Sequence, residues 1–327
     1  MTDLGIVWFF STVFFILHRY RSTVHTGAFP SYGYAGAAIA IAGELLLFAG
    51  FEPVAIYFMA IEWTGYILWA DAAVFALRGR SLLRSYPAEF ACIAVFSIPL
   101  WLVFEAYNLR LENWIYIGLP RNALARMTGY AWAFATIWPG ILETASLLRA
   151  LGLTRSFADS ARTQATSVER AARNRFGAAA IASIAFGAIL LIVPVLLPSG
   201  TREYLFGAVW LGFIFLLEPI NCRMCGESLW KDLERKDTSR LFALLGAGVV
   251  CGIFWEFWNF WAHARWVYVF PMFQNWKIFA MPLPGYLGFP AFALECFAML
   301  AFVARIMNLA LKALRRQWRF SEESLQL

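Results

Sequence analysis

Two carboxylates embedded in apolar, tryptophan-rich stretches are the residues of this sequence best equipped for chemistry. Glu256 lies in GIFWEFWNFWAHARWVYVFP, and Glu295 in MPLPGYLGFPAFALECF. On a helix of 3.6 residues per turn, Glu256, Asn259 and His263 stand at offsets of about 300° and 340°, so the spacing predicts one polar stripe. Trp255, Trp258 and Trp261 surround that stripe. A carboxyl held away from water keeps its proton and can donate it, and aromatic faces stabilise positive charge that develops on a ligand. The chemistry implied is proton transfer to a flat or polyunsaturated apolar molecule.

An earlier stretch repeats the pattern. FEAYNLRLENWIYIGLP, from Phe104 to Pro120, aligns with WEFWNFWAHARWVYVFP, from Trp255 to Pro271. Glu105 matches Glu256, Asn108 matches Asn259 and Glu112 matches His263; after a one-residue gap, Trp114 and Tyr116 match Trp266 and Tyr268. WPGILE, ending at Glu143, mirrors FPAFALE, ending at Glu295. The catalytic candidates are therefore Glu105, Glu143, Glu256 and Glu295, and the substrate-binding candidates are Asn108, Asn259, His263, Trp255, Trp258 and Tyr268. Extending the match backwards sets GAAIAIAGELLL near Gly36 against GAAAIASIAFGAILL near Gly177, and Glu62 against Glu218. Glu44 and Asp71 are further acids in or near apolar runs.

These acids need an elaborate frame. Hydrophobic residues make up 61% of the 327 residues and charged residues 15%, the mean hydropathy is +0.62, and soluble domains carry about 25% charged residues. The expectation is an integral membrane protein built as an all-α, polytopic helical bundle. Each acid at a helix centre costs about 2.5–3.5 kcal/mol on insertion, so six would cost on the order of 15–20 kcal/mol unless neutralised, bonded or used. Acids bonded to Asn, Tyr and Trp donors to hold the bundle together are the plainer alternative. Apolar runs at 4–17, 34–51, 53–77, 88–107, 128–150, 176–198, 203–221, 240–262 and 286–310 approach the ~20 residues needed to span a bilayer core, which predicts about nine spans. The loops rich in Arg and Lys, at 78–84, 149–175, 223–240 and after Lys312, then share one side, placing the N-terminus outside and the C-terminus in the cytoplasm. The expected layout is an N-terminal helix (1–33), a first four-helix repeat (34–150), a basic linker (151–175) read as an amphipathic surface segment, a second repeat (176–310) and a basic tail (311–327). An even number of spans in each repeat makes the halves parallel about an axis along the membrane normal.

Other chemistries find little footing. Cys222 and Cys225 form a single CxxC without a second pair, which is half a zinc site. The Glu-x-x-Asn spacing differs from the Glu-x-x-His of di-iron bundles, so no metal and no cofactor is expected. There is no GxSxG, no phosphate loop and no nucleic-acid module, and the net charge of +6 is explained by topology. Trp114, Tyr116, Trp266, Tyr268 and Trp276 suit interfacial aromatic belts.

The order aromatic-acid, Trp-x-aromatic, loop, then Gly, Pro and acid resembles the two-repeat lycopene cyclase domain of heterodimeric bacterial and fused fungal carotenoid cyclases. The similar positions are Trp255-Glu256, Trp266-Val267-Tyr268, Gly288, Pro290 and Glu295, with a second copy at Phe104-Glu105, Trp114-Ile115-Tyr116, Pro139 and Glu143. In that family the acid-bearing helices read Trp-Asp and Pro-x-Glu-Glu, whereas here Glu replaces Asp and a single acid follows Pro. The resemblance implies a membrane protein that binds an isoprenoid in an aromatic cavity and protonates it through its acids without net redox change, as an isomerase in carotenoid biosynthesis would. A proton- or cation-coupled transporter and a non-catalytic lipid- or pigment-binding scaffold are the rival readings. In all three the partners are the membrane and an apolar lipid, with no nucleic acid.

Overall fold

A computed structural model describes residues 1–154 and 177–326; most of the expected basic linker lies outside the described residues. The chain is mostly helical, and the described helices are numbered in chain order. α1 (Thr2–Ser22), α2 (Ser31–Phe48), α3 (Glu52–Arg78), the one-turn α4 (Leu82–Ser85) and α5 (Pro87–Leu111) lead into strand β1 (Trp114–Ile117), followed by α6 (Ala123–Ala135) and α7 (Ile137–Ala150). After the undescribed segment come α8 (Ala178–Leu196), α9 (Phe206–Arg223), the short α10 (Leu229–Glu234), α11 (Ser239–Trp261) and strand β2 (Arg265–Tyr268). A small hairpin of β3 (Lys277–Ile278) and β4 (Met281–Pro282) precedes α12 (Gly288–Ala313).

Six described helices, α2, α5, α8, α9, α11 and α12, are long and apolar enough to cross a membrane. The other expected spans also fall on helices, but α1 and α3 are less apolar, and the run at 128–150 is divided. Its two pieces, α6 and α7, have 13 and 14 residues. Pro139 cannot donate a backbone hydrogen bond to the preceding turn, which favours a break just before it. Ser97 of α5 fills that break: its hydroxyl bonds to the Phe134 carbonyl and accepts from the Trp138 amide at 3.2 Å.

Close packing depends on glycine at two helix pairs. A Cβ on Gly36 of α2 would sit 2.6 Å from the Gly65 carbonyl of α3, and one on Gly187 of α8 would sit 2.4 Å from the Leu216 amide of α9 and 2.7 Å from the Gly212 carbonyl. The obstruction is backbone, so neither pair can separate locally to admit a side chain. Two buried acids make similar contacts near the ends of α3 and α9. Asp71 accepts from Ser81 Oγ (2.9 Å) and the Leu83 amide (2.7 Å), while Glu218 accepts from Ser228 Oγ (2.7 Å) and the Trp230 amide (3.1 Å). Each acid thus ties the short helix that follows, α4 or α10, to the end of the helix carrying it.

The strands are an addition to the all-α expectation. β1 and β2 pair antiparallel, with Trp114 opposite Tyr268, Ile115 opposite Val267 and Tyr116 opposite Trp266. This ribbon joins the ends of α5 and α11, the two helices that carry Glu105 and Glu256.

Candidate functional site

Asn108 and Asn259 fix the ribbon to its helices. Asn259 Nδ2 donates to the Trp266 carbonyl at 2.9 Å and its Oδ1 accepts from the Trp266 amide at 3.0 Å. Asn108 does the same for Trp114, at 2.8 and 3.1 Å, and also accepts from the Asn113 amide. Both amides are occupied by backbone, which gives them a positioning role in holding the ribbon. The reason is geometric: the helix ends two or three residues later, and a peptide group of the departing chain meets the carboxamide.

The strands place two tyrosines over two acids. Tyr268 donates to Glu256 Oε1 at 2.8 Å, and Tyr116 donates to Glu105 Oε1 at 2.6 Å. Glu256 is fully buried and its Oε2 has no hydrogen-bond partner. Glu105 is half-buried and also accepts from Trp101 Nε1 at 2.8 Å and Trp114 Nε1 at 3.4 Å. Both phenols, together with Trp101, Trp255, Trp266 and Phe292, line a cavity of about 150 Å³ between the two parts of the chain. Complete small-molecule pockets measure about 300–1,000 Å³, so this cavity is smaller than a site that encloses a whole ligand. Trp114, Tyr116, Trp266 and Tyr268 belong both to the ribbon and to the cavity wall.

Arg126 and Arg265 also line this cavity, and neither was singled out from the sequence. Arg265 Nη1 donates to the Phe260 and Ala262 carbonyls at the end of α11, and Arg126 Nη1 to the Pro120 carbonyl. The signal was their position, on the end of the bundle opposite the basic loop after α3.

Three sequence candidates lie elsewhere. His263 is not on the polar stripe, because α11 ends at Trp261 and Ala262 is extended; His263 is exposed in the turn before β2, its amide bonded to the Ala55 carbonyl. Glu112, its sequence match, caps α5 in a left-handed conformation and pairs with Arg202 at 2.9 Å. Glu295 is fully buried on α12 and accepts from the Phe213 amide of α9 at 3.1 Å. Glu143, also fully buried, faces Asp71 from α7. No hydrogen bond joins any two of Glu105, Glu143, Glu256 and Glu295 among the described residues, and none of the four is in the wall of the aromatic cavity.

Trp258 points the other way from Trp255. Its Nε1 donates to Glu44 Oε1 at 3.2 Å, and it lines a second cavity of about 610 Å³ bounded by α1, α2, α3 and α11. Trp63 stands between the two chambers, with ring centroids 4.9 Å from Trp255 and 5.2 Å from Trp258. Gly140 of α7 leaves it room: a Cβ there would come within 2.8 Å of the Trp63 ring.

No protein-family description, no curated protein and no solved structure matches this chain.

Proposed function

We propose that this is an integral membrane protein that takes one end of an isoprenoid or other long apolar lipid into the aromatic cavity and performs acid–base chemistry on it. The observation that carries the reading is the pair of phenols in the cavity wall, each backed by a buried or half-buried carboxyl. With Glu256 protonated, its bond with Tyr268 reverses from the resting arrangement: Glu256 hands its proton to the Tyr268 oxygen as Tyr268 gives its own to an alkene carbon, leaving a carbocation flanked by indole faces. Loss of a proton from a neighbouring carbon to the Tyr116–Glu105 pair restores a neutral ligand, and proton exchange with water then returns Glu105 to its carboxylate and Glu256 to its acid. One C–H bond forms and one breaks, so the ligand is isomerised or cyclised without oxidation. This deepens the resemblance to the lycopene cyclase domain while moving the acid role from Glu295 and Glu143, which lie outside the wall of the aromatic cavity, to Glu256 and Glu105, whose tyrosine partners line it.

The matched element order in the two parts, the paired Asn contacts and the Asp71 and Glu218 ties support an internal duplication with parallel halves. In β1 and β2, Trp114 and Tyr116 face Tyr268 and Trp266, so exchanging the halves reproduces the same pairing, as a pseudo-two-fold axis requires. The Arg-rich loops place the N-terminus outside and the C-terminus in the cytoplasm.

The test is to extract lipids from protein purified in native membranes, identify the polyene retained, and follow its conversion. Glu256→Gln and Tyr268→Phe should retain the polyene and lose its conversion. Full conversion by both variants would overturn the acid–base reading, and failure of the wild-type protein to retain any polyunsaturated lipid would overturn the binding reading.

A further inference from the structure

The larger chamber carries its own chemistry, independent of the aromatic cavity. Its walls are aliphatic and aromatic, and two acids interrupt them: Glu44 of α2 and Glu62 of α3. Among the described residues, no Lys, Arg or His shares the lining. Glu62 is only 1% exposed, and its Oε1 has no hydrogen-bond partner. The carboxyl is accommodated by Gly43 of α2, where a Cβ would come within 2.1 Å of Glu62 Oε1. Glu44 is half-buried with one oxygen taken by Trp258, and it is close enough to act on Glu62 electrostatically. When either acid is ionised the pair lacks a compensating charge and Glu62 Oε1 lacks a donor, and one cation between them supplies both. Two aromatic rings, Tyr66 and Trp258, stand in the same wall, and ring faces attract ammonium groups.

We propose that this chamber is a second lipid site, specific for a long-chain primary amine whose ammonium head sits between Glu44 and Glu62. The ammonium N–H donors go to the two carboxyl groups, and the single positive charge offsets the pair. The chain lies along Phe9 and Val13 of α1 and Ile41 of α2. At about 610 Å³ the chamber is within the range of complete ligand pockets, unlike the smaller aromatic cavity. An alcohol offers one donor and no charge, and a fatty acid adds a third negative group, so selectivity among head groups is the signature.

The full chain in lipid nanodiscs is titrated with octadecylamine, octadecanol and stearate, and bound molecules are counted by native mass spectrometry. Wild-type protein should retain one octadecylamine and discriminate against the other two. Glu62→Gln should weaken retention of the amine by about tenfold or more and leave retention of any polyene unchanged. Ile41→Trp keeps both acids but fills the chamber, and it should exclude the amine while thermal unfolding shows the variant folded. Equal retention of amine and alcohol by wild-type protein, or undiminished amine binding by both variants, would overturn the proposal. Amine loss accompanied by polyene loss in Glu62→Gln would also count against it, because the two sites would then not be separate.

Discussion

At the scale of single residues, the number of donors around each acid determines how much it depends on any one of them. Tyr268→Phe strands Glu256 Oε1 and removes the acceptor of Trp266 Nε1, a 2.8 Å contact. Leaving one buried polar group unpaired costs about 1–3 kcal/mol. Tyr116→Phe leaves Glu105 with Trp101 and Trp114 as donors, so its cost should be about 0.5–1.5 kcal/mol. Thermal unfolding of both variants in one detergent should therefore place Tyr268→Phe clearly below Tyr116→Phe, and the reverse order would contradict the donor assignment. Glu105, Glu256, Trp255 and Tyr268 were legible in the sequence because an acid among tryptophans has few bland explanations. Asn108 and Asn259 were visible as a pair, but their role was not, because a carboxamide one turn from a helix end is equally suited to a ligand and to a peptide group. His263 was misplaced because the periodicity was extended past Trp261, where the chain had already turned toward β2.

Elements record the difference between what composition specifies and what contacts specify. Six of the nine apolar runs fall on described helices long and apolar enough to span a membrane, since hydropathy over ~20 residues is a strong signal, whereas the run at 128–150 is shared between α6 and α7. The packing of the Ala- and Gly-rich helices was not legible, because small apolar residues recur too often to mark a contact; Gly36 with Gly65 and Gly187 with Gly212 are recognised only as packed pairs. Gly187→Val should push into backbone atoms of α9 and exceed the usual overpacking cost of about 1–3 kcal/mol. Gly207→Val, on α9 itself with nothing within 4 Å of its Cβ position, should express and elute like the wild-type protein. Size-exclusion profiles of the two variants separate the outcomes, and equal behaviour would mean that α8 and α9 are not packed this closely. The ribbon of β1 and β2 was the element least visible beforehand. Four-residue strands rich in Trp, Tyr, Ile and Val read as membrane-interface residues until their partner, more than a hundred residues away, is known.

Across the whole molecule, that ribbon joins the two parts through the backbone, and it provides a direct check on their arrangement. Opposed residues in an antiparallel pair have Cα atoms about 4.5–5.5 Å apart, within the range a disulfide needs. With the five native cysteines replaced, Ile115→Cys with Val267→Cys should cross-link under mild oxidation and shift in mass by loss of two hydrogens, whereas Leu109→Cys with Val267→Cys should remain reduced. The opposite pattern would disprove the pairing. A chain with two chambers also has an indole at their boundary. Trp63 contacts Trp255 in one wall and Trp258 in the other at ring separations of 4.9 and 5.2 Å, close enough for excited states to be shared among the three. Light absorbed by any of them reports on all, so occupancy of either chamber should alter one circular-dichroism signal in the indole band, and Trp63→Phe should divide that signal into two that respond separately.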